Sequence, residues 1–139
     1  MPFLNFSKHI PPALPLRLGL AGTYFYSGWG LLTNPAEWQW AIQSLPTSVQ
    51  SPIIFVGIER YLRTQGTVEL LLALVFLAWF LPRKLVRIAA LCAALQMASI
   101  TLLVGINTET FRDIGLLGAA LALYVFSYRF SHQENRGML

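Results

Sequence analysis

Three ionisable side chains stand beside long apolar segments and are the first candidates for chemistry: Glu69, Arg112 and Asp113. An ionisable group at membrane depth is costly, so each of them is a functional candidate by default. If the three side chains meet, they could hydrogen-bond a ligand or relay protons. The alternative is a structural ion pair that joins two helices. We favour this alternative, because a helix dipole already stabilises a carboxylate at a helix N-terminus, where Asp113 is predicted to lie.

The histidines and the cysteine exclude several kinds of redox site. Cys92 is the single cysteine, so the chain cannot contain a two-cysteine thiol–disulfide site. His9 and His132 lie near the termini, whereas two axial haem ligands would have to face each other between helices. The sequence has no His, Cys, Asp and Glu group with metal-ligand spacing and no glycine-rich phosphate loop. We therefore assign no catalytic residue, no metal site and no cofactor encoded by the chain.

A second polar group precedes the Glu69 segment and is a candidate contact for a partner protein or for lipid. Glu59 and Arg63 are four residues apart, which predicts a solvated ion pair on a helix surface. Docking of a partner by Glu59, Arg60 and Arg63 is the alternative interpretation. Trp38 and Trp40 are predicted to lie near lipid headgroups, where tryptophan is enriched.

The segments that must position these residues are strongly apolar. Hydrophobic residues make up 55% of the 139-residue chain and charged residues 12%, roughly half the charged share of a soluble protein. Apolar runs at about 15–32, 66–81, 85–105 and 112–130 can each cross a hydrocarbon layer, the shorter ones with flanking residues. Backbone polar groups must be paired inside lipid, so all four runs are predicted to be helices. We expect one all-α domain over residues 1–139, a four-helix transmembrane bundle.

A long loop, residues 33–65, is predicted between the first two spans. Its apolar run at 53–58 is too short to cross a membrane and predicts an interfacial or re-entrant helix. Within the spans, Gln96 is expected to hydrogen-bond another helix, and a ligand contact is the lesser alternative. Small residues recur at four-residue spacing and indicate close helix approach: Gly19, Thr23 and Ser27; Ala90, Ala94 and Ala98; Gly115 and Ala119.

The basic residues predict the orientation of the bundle. Seven of them fall on one side of the four spans and three on the other, with Arg60, Arg63 and Arg112 forming the smaller group. The richer side is expected to be cytoplasmic, which places both termini inside and the long loop outside. The bases are scattered between apolar runs rather than aligned in one stripe, which excludes a nucleic-acid partner. The richer group comprises Lys8, Arg17, Arg83, Lys84, Arg87, Arg129 and Arg136.

The start of the fourth span, Phe111-Arg112-Asp113-Ile114-Gly115, together with Leu16-Arg17-Leu18-Gly19-Leu20 in the first span, resembles the DoxX-like family of small four-helix membrane proteins. The resemblance covers roughly residues 14–130. It implies association with respiratory or thiol-oxidising membrane complexes, in which such proteins are described as quinone-linked oxidoreductase subunits. Family members often carry a lysine after the first-span glycine. Here the stretch reads Trp29-Gly30-Leu31-Leu32, so no role of that lysine can be carried over.

These observations lead to one functional expectation and two alternatives. We expect an integral accessory subunit of a respiratory or other electron-transfer complex in a bacterial inner membrane, with the lipid bilayer and other membrane subunits as partners. A quinone is the candidate ligand of the Glu69, Arg112 and Asp113 cluster, and a structural role for this cluster is the alternative favoured above. The first alternative is a quinone-linked oxidoreductase subunit that acts with a soluble partner, and the second is a small transporter. The chain alone is not expected to catalyse a reaction.

Overall fold

The computed structural model describes residues 13–78, 80–107 and 110–136, and their regular elements are all helices. The prediction of an all-α fold is therefore confirmed for this part of the chain. Lys8, His9 and the side chains of Arg129, His132 and Arg136 lie outside it. The elements are α1 (Leu14–Thr33), a short 3-10 helix (Pro35–Trp38), α2 (Gln39–Gln43), α3 (Thr47–Val56), α4 (Ile58–Leu77), α5 (Arg83–Val104) and α6 (Phe111–Arg136).

Prolines and glycines set the helix boundaries. Pro46 and Pro82 immediately precede α3 and α5, where the missing proline N–H removes no helical hydrogen bond. Gly57 separates α3 from α4 and has a φ of 99°, a conformation that other residues adopt only with strain. Gly105 ends α5 with a φ of 81°, which also lies in the region that favours glycine. Glycine is therefore the residue that fits the backbone at these two helix ends.

The four long helices pack as two pairs, α1 with α4 and α5 with α6. Their shared core contains two fully buried aromatic rings, Tyr24 and Phe76, whose centroids are 6.0 Å apart. Helices α1 and α4 approach each other closely at Gly28 and Gly66, because a Cβ atom added to either residue would lie 2.8 Å from the other's carbonyl oxygen. By contrast, a Cβ on Gly19 or on Gly115 would meet no atom within 4 Å.

The segment predicted as a loop, residues 33–65, is largely helical. Residues 35–56, which we call the cap, hold the 3-10 helix, α2 and α3, and they lie over one end of the bundle. A small second core fixes them there: Ile42 and Ile53 of the cap pack with Leu31 of α1 and Leu62 of α4. The apolar run at 53–58, predicted to be an interfacial or re-entrant helix, spans the end of α3 at Val56, the break at Gly57 and the start of α4 at Ile58.

Helix α4 begins at Ile58, well before the start of the predicted second span at residue 66. Hydropathy marks where an apolar run begins, whereas the helix itself extends through the charged residues Glu59, Arg60 and Arg63. Two of the described helices, α5 and residues 111–128 of α6, are long and apolar enough to cross a membrane by length and composition. By this measure alone, two spans rather than four are supported.

Arg17, near the start of α1, contacts the C-terminal end of α4. Its guanidinium donates from Nε to the carbonyl oxygen of Phe76 at 2.9 Å, and from Nη2 to those of Ala78 at 2.6 Å and Val75 at 3.3 Å. Carbonyls in the last turn of a helix have no partner within the helix. Arg17 therefore caps the C-terminal end of α4 by pairing these carbonyl groups. This role is additional to its contribution to the charge asymmetry from which the orientation was predicted.

Candidate functional site

A cavity of about 590 Å³ lies beneath the cap, between the cap-side halves of the four long helices. Its walls are mainly apolar and aromatic, with a small number of polar side chains among them. Cavities of this size and composition typically enclose a small organic ligand. Polar lining residues come from α1, α4, α5 and α6 and include Ser27, Gln65, Glu69, Gln96, Arg112 and Asp113.

Glu69 is the buried charged group of this cavity, with 4% of its surface exposed. Its Oε1 accepts a hydrogen bond from Gln96 Nε2 at 2.8 Å and a longer one from Gln65 Nε2 at 3.4 Å. Ser27 lies beside the same carboxyl group. The second oxygen, Oε2, is buried and has no hydrogen-bond partner among the described residues. A buried polar atom left unpaired costs about 1–3 kcal/mol, so Oε2 needs a water molecule or a ligand as its partner, whether the carboxyl group is ionised or protonated.

The close contact between α1 and α4 is what buries Glu69. Gly66 and Glu69 are one turn apart on α4, and both face α1. Without a side chain at Gly28, the α1 backbone comes so near that a Cβ atom there would lie 3.1 Å from the Cβ of Glu69. The glycine contact thus shields the carboxyl group from one side. From the other side, Gln96 reaches it from α5.

The three residues of the predicted polar cluster all line this one cavity. Glu69 is buried, Asp113 is half-buried and Arg112 is exposed at the start of α6. The hydrogen bonds to Glu69 Oε1 come from amide side chains, Gln96 and Gln65, rather than from Arg112. The interhelical hydrogen bond expected of Gln96 is therefore present. Its acceptor is the carboxyl group that the sequence had singled out.

The residues predicted to contact a partner or lipid are divided between the cavity and the surface. Trp38 and Trp40 line the cavity from the cap, and the Trp38 indole packs on Gly30, where a Cβ atom would lie 3.0 Å from Nε1. Glu59 and Arg63 form an exposed ion pair on the first turns of α4, with Oε1 and Nη2 2.9 Å apart. Such pairs contribute little to stability.

Ser27 and Gln65 are site residues that the sequence analysis did not assign to the cluster. Gln65 precedes Glu69 by four residues, a spacing that places both side chains on one helix face and could have indicated the contact. Ser27 gave no comparable signal, because it approaches Glu69 from a different helix. Sequence separation alone does not reveal which residues meet across helices.

No protein-family model matches the chain, and no curated protein or solved structure matches it either. Among the described residues, no group of three or more His, Cys, Asp and Glu side chains is placed to hold a metal ion.

Proposed function

We propose that all four long helices cross a lipid bilayer, α1 and α4 as well as α5 and α6. The support is an outward-facing stripe of large apolar side chains on every one of them, each side chain at least 42% exposed. The stripes follow the three-, four- and seven-residue spacing of a single helix face. They comprise Leu18, Phe25 and Trp29 of α1; Leu71, Leu74 and Leu77 of α4; Ile88, Leu91, Leu95 and Leu102 of α5; and Ile114, Leu121 and Val125 of α6.

The packing inside the bundle supports the same proposal. The buried face of α5 is dominated by small residues, Ala89, Ala90, Ala93 and Ala94, while its leucines point outward. Small residues inside and large apolar residues outside are typical of helices that pack within lipid. A continuous apolar exterior of this extent would promote aggregation in water. Helix α4 falls short of a spanning composition because charged residues occupy its first turns, at the cap end.

The cavity supports a ligand of the quinone class, and the observation that carries this proposal is the buried carboxyl group of Glu69 with its unpaired Oε2. Oε1 is already engaged by Gln96, so hydrogen-bonding capacity remains on Oε2. A protonated Oε2 donates to a quinone carbonyl, and an ionised one accepts from a quinol hydroxyl. The aromatic side chains of Tyr26, Trp38 and Trp40 in the walls suit a flat, apolar ring.

The chain is proposed to act as an integral subunit of a larger electron-transfer complex of a bacterial inner membrane, with the cap outside. It has one cysteine, and its two histidines lie near the termini, so the sequence supplies no redox pair of its own. Electrons would pass through the bound quinone and a partner subunit. Membership of the DoxX-like family belongs to the same proposal and rests on the motif that begins α6.

Quinone binding by the purified full chain tests the proposal. A short-chain ubiquinone and a short-chain menaquinone are titrated into the protein in detergent, and quenching of tryptophan fluorescence reports occupancy because Trp38 and Trp40 line the cavity. Glu69→Leu removes the carboxyl group and is expected to weaken binding by about tenfold or more, since a hydrogen bond to a charged group contributes about 1.5–3 kcal/mol. Glu69→Gln keeps the side-chain shape, and its affinity for quinone should lie between those of the unaltered chain and the Glu69→Leu variant.

The matched control is Glu59→Leu, which removes an exposed carboxylate outside the cavity and should leave binding unchanged. Far-UV circular dichroism checks that each variant remains helical. Absence of quinone binding by the unaltered chain, or equal affinity in the Glu69→Leu and Glu59→Leu variants, would contradict the proposed ligand. Stoichiometric co-purification of quinone-dependent enzyme subunits from the native membrane would separately support the accessory role.

A further inference from the structure

A second, shallow groove lies on the outer surface of the α5–α6 pair, at the end of the bundle opposite the cap. Its volume is about 300 Å³, and its described lining residues are Arg87, Ile88, Leu91, Tyr124 and Tyr128. Nothing in the Glu69 cavity involves these side chains. The groove combines one basic group with an apolar floor.

The basic end of the groove is pre-arranged. The Arg87 guanidinium lies over the Tyr128 ring at 5.8 Å from its centroid, a cation–π contact between α5 and α6. Arg87 is half-buried, so the contact restricts its side chain while leaving part of the guanidinium accessible. Lys84 is exposed one turn earlier on α5 and adds positive charge at the same level. A planar guanidinium held in this way matches the oxygens of a phosphate group.

The apolar end of the groove belongs to the surface that faces lipid in the proposed arrangement. Ile88 and Leu91 are 57% and 42% exposed and are part of the outward stripe of α5. They follow Arg87 within about one helical turn, a distance of roughly 6 Å along the axis. A lipid whose phosphate contacts Arg87 could therefore place the first part of an acyl chain against Ile88 and Leu91.

We propose that this groove binds an anionic phospholipid, with its phosphate on Arg87 and one acyl chain against Ile88, Leu91 and Tyr124. The described lining residues include no acidic side chain that could pair with the cationic head of a zwitterionic lipid. The inference rests on the membrane placement of α5 and α6, the two helices that meet the length and composition test. It does not depend on what occupies the Glu69 cavity.

Native mass spectrometry of the full chain released from detergent micelles measures the lipid that it retains. Phosphatidylglycerol and phosphatidylcholine with identical acyl chains are added in equal amounts, and retention of phosphatidylglycerol is expected to exceed that of phosphatidylcholine at least tenfold. Arg87→Gln should abolish most of this preference, whereas Arg87→Lys, which keeps the charge, should preserve part of it. Arg60→Gln is the matched control, because Arg60 is exposed at the cap end.

Equal retention of the two lipids, or the same loss in Arg87→Gln and Arg60→Gln, would overturn the proposal. Displacement of the lipid by inorganic phosphate at millimolar concentration would also overturn it, since the groove would then select a free anion. Alkaline extraction of native membranes provides the separate test of membrane placement. Release of the chain at that step would refute the proposed bundle itself, whereas retention combined with failed lipid selection would refute only the groove.

Discussion

The glycine contact between α1 and α4 provides the sharpest test of how this bundle is assembled. A Cβ atom added at Gly28 would lie 2.8 Å from the carbonyl oxygen of Gly66, 3.0 Å from the backbone nitrogen of Leu70 and 3.1 Å from the Cβ of Glu69. Two of these three atoms belong to the backbone and cannot rotate away. Gly28→Ala must therefore push the two helices apart.

The expected cost follows from the distances. Ordinary contacts of a Cβ atom begin near 3.4 Å, so the nearest of the three must lengthen by about 0.6 Å, the difference between 3.4 and 2.8 Å. Overpacking of a well-packed site costs about 1–3 kcal/mol. The same substitution gains about 0.5–1 kcal/mol of helix stability, because glycine loses more backbone freedom on folding than alanine does. Gly28→Ala should therefore lower the free energy of unfolding by up to about 2.5 kcal/mol.

Gly118→Ala on α6 is the matched control, since its new Cβ atom would meet nothing within 4 Å. It gains the same helix stability without the clash. The difference between the two variants therefore isolates the cost of overpacking, about 1–3 kcal/mol. Both are measured as free energies of unfolding in mixed detergent micelles, with increasing sodium dodecyl sulfate and far-UV circular dichroism as the signal.

Gly66→Ala adds an independent check on the same contact, because its Cβ atom would lie 2.8 Å from the Gly28 carbonyl oxygen. The two substitutions separate the same pair of helices, so the double variant should lose less stability than the sum of the single losses. If Gly28→Ala is as stable as Gly118→Ala, α1 and α4 do not meet at these glycines, and the shielding of Glu69 inferred from that contact is wrong.

Two further predictions concern hydrogen bonds that hold the helix ends. Arg17→Met removes the donor of three hydrogen bonds to the last turn of α4 and should lower the free energy of unfolding by about 2–3 kcal/mol, with Arg17→Lys recovering part of the loss in the same detergent assay. Thr110→Val should cost about 1–2 kcal/mol, because the buried hydroxyl donates to the Gly105 carbonyl oxygen at 2.6 Å and accepts from the Asn107 backbone N–H at 2.9 Å. Thr110→Ser retains the hydroxyl and should restore most of that stability; a serine variant as unstable as the valine variant would rule out the hydrogen bonds as the cause.

Local signals placed most of the helical elements correctly. The apolar runs predicted at 85–105 and 112–130 correspond to α5 at Arg83–Val104 and to the first part of α6, which extends to Arg136. Length and apolar composition are properties of a continuous segment, so the sequence states them directly. The same signals were less informative for residues 33–65. Cap helices as short as α2 are stabilised by tertiary packing, through residues such as Ile42 and Ile53, rather than by length.

The sequence by itself determined that the chain is helical and apolar, and that Glu69 is an ionisable residue in an apolar surrounding. Only the tertiary structure decided what Glu69 meets. Gln96 donates to it from α5, and Ser27 approaches from α1, because the rotation of each helix about its axis selects the face that turns inward. That rotation depends on interhelical contacts such as Gly28 with Gly66. Small residues at four-residue spacing are compatible with several such faces, which is why the spacing of Gly19, Thr23 and Ser27 could not identify the glycine at which the helices meet.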